Sequence, residues 1–264
     1  MARATKKAEL AKSEEQTGGL ALPSEMQSFF DEVGGGKENL DYVTNPFFVI
    51  SIRNSRFKIE KQPIGDKGLS FQGHIMHIIP VNAYYKEAFD SDNPTPPDCA
   101  SVGGVAPDSQ SEDPQATMCA KCEHMKWGTG IGRDGSPSRG KACKQSKRLV
   151  IHVPGVELPC LLNLPPTSHK YLDKFLKELS TITKGGIPAF AAVTEFFFPD
   201  EAEWPIVQLR IVDVVQDVAF ARELHAMRQE SAYLNARDAY ADVREQEDLQ
   251  RGEEADEGSD DGRF

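Results

Sequence analysis

Apolar and polar residues follow two rhythms along this chain, separated by a long stretch that has neither. NPFFVISI (45–52) is an almost unbroken apolar run. RFKIEK (56–61) sets Phe57 and Ile59 against Lys58 and Lys61, and GLSFQGHIMHIIPV (68–81) is rich in β-formers. These patterns predict three strands, with Gly73 a bend or bulge in the third. RLVIHV (148–153), LPCLLNL (158–164), IPAFAAVTEFFF (187–198) and WPIVQLRIVDVV (204–215) read as further strands, with PDEAE the turn between the last two. Helical spacing appears in three places. Ser24 caps a short helix running through Phe29 and Phe30 to Val33, stopped by Gly34–Gly36. A second helix starts near Ser168 with Tyr171, Leu172, Phe175, Leu176, Leu179 and Ile182 on one face, and closes near Gly185. A long one starts near Gln216 with Phe220, Leu224, Met227 and Leu234 at helical intervals.

Five or more strands, a helix between them and a large insertion predict a β-rich α+β fold. Its expected form is an oligonucleotide-binding (OB-like) five-stranded barrel, closed or partly open, with a long inserted loop, one or two flanking helices and disordered termini. Periodicity alone leaves other β-rich α+β folds open. The expected organisation is a flexible arm over 1–22 and a domain over 23–215 carrying an inserted module over 98–148. A C-terminal helix over 216–244 and a disordered acidic tail over 245–264 complete it. No segment has the apolar length of a membrane span or a signal peptide, so a cytoplasmic protein is expected.

The insertion changes the picture. From Ser91 to Arg148 the chain is Pro, Gly, Ser and Cys with hardly an apolar pair, too long for a structureless loop inside a compact domain. Metal ligation would replace the missing core. Cys119 and Cys122 form the knuckle CAKC, and Cys99 and Cys143 lie in turn-rich loops on either side. Four thiolates suit one tetrahedral zinc ion and leave no position for a reactive water, so the zinc is expected to be structural and the protein not an enzyme. His124 stands close enough to replace one cysteine. Cys160, within LPCLLNL, reads as a buried structural thiol. His74 and His77 sit three apart on a strand, a spacing that points them to opposite faces and disfavours a joint site.

Charge sharpens the reading. The net charge is −11, but it is unevenly spread. Cys119–Leu149 has eight Lys and Arg against two acids, whereas the last twenty residues have nine carboxylates against two arginines. Lys121, Lys126, Trp127, Arg133, Arg139, Lys141, Lys144, Lys147 and Arg148 bring cations and a flat ring together, the chemistry that backbone phosphates and unpaired bases require. Arg53, Arg56, Phe57, Lys58 and Lys61, with Tyr84 and Tyr85, form a second such group on the early strands; Phe57 is equally readable as core. A solubilising role for the lysines of the zinc loop is the competing reading.

The tail ends EEADEGSDDGRF, and its Asp260, Asp261 and Phe264 make a ligand for a basic-rimmed pocket. That ending resembles bacterial and phage single-stranded DNA-binding proteins, although Arg263 interrupts it and the bacterial proline before Phe is absent. The run from PPDC to CAKC, WG and GKACKQSKRL is similar to zinc-bearing phage replication proteins of this kind. The resemblance implies sequence-independent binding of single-stranded DNA in replication, recombination or repair inside an infected bacterial host. It also implies a tail that recruits a polymerase or helicase and competes with DNA for the basic surface. Self-association stays open. The alternative is a zinc-containing regulator that docks on RNA polymerase or another replication or transcription protein.

Overall fold

The computed structural model describes residues 23–32, 46–86, 96–132, 136–199 and 206–240. The chain divides into two units, residues 1–44 and 45–264. In the first, α1 (Ser24–Glu32) occupies the position that its Ser cap and the following glycines predict. The expected arm and acidic tail lie outside the described residues.

The second unit is a nine-stranded sheet of β1 (Phe48–Arg53), β2 (Arg56–Ile59), β3 (Gln62–Pro63), β4 (Ser70–Tyr84), β5 (Cys99–Val102), β6 (Lys144–His152), β7 (Cys160–Leu164), β8 (Ala192–Phe197) and β9 (Gln208–Val214). Eight strands lie on one path, β3-β2-β1-β7-β6-β4-β8-β9, and β5 pairs with β4 beside it. A five-stranded barrel is therefore too small a description. The sheet is open, because its path ends at β3 and β9 without joining them. It is also strongly curled: Phe57 of β2 packs edge-on against Phe71 of β4 at 4.9 Å and stacks on Phe198 at 4.3 Å, although three strands separate β2 from β4 along the path. The result is a half-barrel.

β4 is its spine. One edge pairs with β6 over His74–Ala83, and the other pairs first with β8 and then with β5. Gly73 stands where β4 changes partners, and a Cβ there would meet Ile151 Cγ2 at 2.7 Å and the His152 carbonyl at 2.8 Å. Glycine is needed for close approach; the bulge itself falls between Ile75 and His77. That bulge cancels the odd spacing of the two histidines. His74 lies opposite His152 and His77 opposite Val150, so both face the C-terminal helices, against the expectation of opposite faces.

The concave side holds the main core. Ile50, Phe71, Ile75, Leu149, Leu162 and Phe196 pack there under α2 (His169–Thr181), whose Leu172, Phe175 and Leu179 are buried as the periodicity predicts. Each such side chain contributes about 1.5–3 kcal/mol by leaving water. Cys160 is fully buried in this core. On the convex side Val49, Met76, Val150 and Leu161 are covered by α3 (Val218–Met227) through Leu224 and by α4 (Ser231–Asp238) through Tyr233 and Ala236. The single C-terminal helix expected from Gln216 is thus broken at Arg228–Glu230, which lets α4 turn back onto the sheet. No helix among the described residues is long and apolar enough to cross a membrane.

Candidate metal pocket and nucleic-acid groove

β4 runs out through VNAYY (81–85), one residue past its end, and strand alternation gives this segment two different faces. Asn82 and Tyr84 line a small cavity with Cys99, Cys119, Cys122 and Cys143. Val81, Ala83 and Tyr85 line a large groove on the other side. The two sites share a wall, and Cys143 and Ala100 border both.

The module builds the small cavity through backbone bonds. CAKC folds as a single 3-10 turn, with Cys122 N–H donating to the Cys119 carbonyl at 3.1 Å, and Cys143 N–H donates to the His124 carbonyl at 2.9 Å. Its loops also seal the outer edge of β5. Ser111 Oγ meets both backbone groups of Ala100, and Asp108 Oδ2 accepts from Val102 N–H at 2.8 Å. All four cysteines are buried and unpaired by disulfides. The cavity they line measures about 20 Å³, room for one water-sized species. Burial pushes the Cys143 thiol up to about 12, helped by Cys122, Cys119 and Cys99, and burial also raises Cys99. Asn82 Oδ1 is buried beside them and accepts from no donor. Neutral thiols and an orphaned oxygen around one cavity are a donor set that a cation would satisfy. No set of three or more His, Cys, Asp or Glu among the described residues has metal-holding geometry as it stands. His124 is not in the cavity lining; it packs behind two residues that are, stacking on Tyr84 at 4.0 Å with Nε2 3.1 Å from Gln115 Oε1.

The groove measures about 670 Å³. Its floor is apolar and small: Val81, Ala83, Ala100 and Val102. Of the residues singled out by sequence, Tyr85, Trp127, Lys141, Lys144 and Arg148 line it. Trp127 is 78% exposed, and Lys141 Nζ lies 5.2 Å from its ring centroid while donating to Gln145 Oε1 at 2.7 Å. Lys144 is exposed on β6. Arg148 is buried, and its guanidinium donates to the Ala239 carbonyl at the end of α4, so it anchors that helix as well as bordering the groove.

Other candidates fall elsewhere. Lys126 pairs with Glu123 at 2.7 Å, and Lys147 with Asp173 at 2.5 Å. Arg139 is exposed on the strand-like return toward Gly140, and Tyr84 faces the cysteine side. Arg53 lies on β1, Arg56 and Lys58 on β2 and Lys61 in the turn to β3, all outside the groove lining, with Arg56 Nη1 donating to the Lys67 carbonyl at 2.6 Å. Phe57 is 0% exposed and belongs to the core, which removes it as a stacking surface. Arg133, Asp260, Asp261 and Phe264 lie outside the described residues. Sequence reading missed Asn163, Pro166, His169 and Tyr240 in the lining. Asn163 had a visible signal, as the polar member of an apolar strand; Tyr240 had none.

No protein-family model, curated protein or solved structure matches this chain.

Proposed function

We propose that the groove binds single-stranded DNA with little sequence preference, on an enlarged variant of the oligonucleotide-binding barrel. The observation that carries this reading is the groove itself. An apolar floor, with Tyr85 and Trp127 beside it and Lys141 and Lys144 at its rim, can stack bases and neutralise phosphates at once. One structural zinc ion, held by Cys99, Cys119, Cys122 and Cys143, supplies the cross-link that the module's missing core does not. Its role is mechanical: the strand ends that carry the cysteine cavity on one side carry the groove floor on the other. Binding zinc requires the raised thiols to give up their protons, so loading weakens as pH falls.

In this reading the protein serves phage replication, recombination and repair and is not an enzyme. Its tail, with Asp260, Asp261 and Phe264, competes with DNA for the groove and recruits a polymerase or helicase once displaced. The position of Tyr240 supports this, because Tyr240, the last described residue before the tail, lines the groove.

The test is an anisotropy titration of labelled oligo-dT at roughly 50 and 200 mM salt, with a duplex control and a chelator-treated sample. Tight binding that favours the single strand and weakens with salt and with zinc removal is expected. Absence of binding at low salt overturns the reading and turns attention to a protein partner.

A further inference from the structure

The metal module displays apolar side chains where a polar loop has no structural use for them. Among the described large hydrophobics, the three most exposed all lie in it: Trp127 at 78%, and Val105 and Ile131 at 69% each. Trp127 belongs to the groove rim. Ile131 has a different setting. It sits on a ribbon made by residues 128–132 and 136–140, opposite Pro137 in an isolated bridge.

Backbone bonds tie the two described limbs closely together. Gly128 N–H donates to the Gly140 carbonyl at 2.9 Å and also reaches the Arg139 carbonyl, and Gly130 N–H donates to Gly140 at 3.0 Å. Ser138 N–H returns a bond to Gly130, and Gly132 N–H reaches Ser136, both at 2.8 Å. The two limbs are so close that a Cβ on Gly130 would stand 2.4 Å from Ser138 Oγ and 3.0 Å from the Gly140 backbone. Such a ribbon presents Ile131 to water, where covering it would gain the free energy of apolar burial, with Arg139 and Lys141 nearby in the chain.

We propose that this ribbon is a wedge, and that Ile131 inserts between neighbouring bases at a junction of single and double strand. Proteins that unstack DNA drive apolar side chains between base steps from basic surfaces, and a rigid, narrow support is what that insertion requires. Trp127, three residues before the ribbon's Gly130, then receives the freed strand and passes it to the groove. The activity is duplex opening at a fork, added to the strand binding proposed above and resting on that reading.

The experiment uses the full chain and a forked duplex carrying 2-aminopurine at the junction, with oligo-dT binding measured in parallel. The wild-type protein is expected to raise the junction fluorescence by unstacking the probe. Ile131→Ala and Ile131→Ser should open the fork about tenfold more slowly, a modest part of the few kcal/mol of one base step, while binding oligo-dT as the wild type does. Fork opening by both variants at the wild-type rate overturns the wedge and leaves strand binding intact. A wild-type protein that binds no oligo-dT overturns the strand-binding reading instead. Variants that lose oligo-dT binding along with fork opening show Ile131 to be a strand contact or structural support, and likewise overturn the wedge.

Discussion

Truncating an aromatic ring has two different costs in this protein, set by where the ring lies. Phe57 touches Phe71 and Phe198 and has no exposed surface, so Phe57→Ala should lower stability by about 3–5 kcal/mol in urea unfolding. The fraction that stays folded should bind oligo-dT unchanged. Trp127 supports no core, so Trp127→Ala should leave the unfolding midpoint within about 0.5 kcal/mol of wild type. Its affinity for a single strand should fall by about 1–3 kcal/mol in an anisotropy titration. Both rings sit among cations in the sequence, and alternation states that a strand has two faces without stating which one is inside. Only the curl of the sheet, which brings β2 onto β4, decides that Phe57 is core. The exposure of Trp127 was legible because its surroundings, glycines and lysines, offer nothing to bury it.

The C-terminal helices are fastened to the convex face by histidines. His77 Nε2 lies 3.0 Å from the Arg228 carbonyl and His152 Nδ1 3.0 Å from the Tyr233 hydroxyl, while His74 meets Phe220 edge-on and the Phe190 carbonyl at 3.0 Å. Burial holds all three below the ordinary value of 6.5. Glu223 and Asp238 pull the other way on His152 and His77, and Arg228 and Arg237 add to the depression on His77. The unfolded chain therefore takes up these protons first as pH falls. The stability present above pH 6.5 should be lost as pH drops toward the folded-state values. Urea midpoints at about pH 7.5 and 5.5 should show the loss, and His152→Gln should flatten it. These elements were only partly readable in advance. Seven of the strands and the core face of α2 follow from period and composition, because each buries a regular set of side chains. β5 did not stand out, since its four residues CASV lie between turn formers and owe their pairing to Asp108 and Ser111 further along. The bulge in β4, which reverses the prediction for His74 and His77, has no local sequence mark.

At the scale of the molecule, an acidic chain presents a basic groove, and the two facts meet at Tyr240. Deleting Glu253–Phe264 removes a block of carboxylates that begins thirteen residues after the lining residue Tyr240 in the sequence. It should tighten oligo-dT binding, most strongly at low salt, and abolish capture of a replication partner. Unchanged affinity at every salt concentration would remove the competition step. The parallel pairing of β1 with β7 has a further consequence, in time instead of space. Phe48 cannot find Cys160, nor Val49 Leu161, until the ribosome has delivered the cysteine-bearing insertion and β6 that lie between them. At roughly 5–20 residues per second, the first hairpin waits several seconds with an apolar edge uncovered. Pairings this distant along the chain also close slowly once both partners exist. The nascent protein is therefore most exposed to aggregation before β7 emerges, and a chaperone that shelters β1 and β2 through that interval should raise the soluble yield.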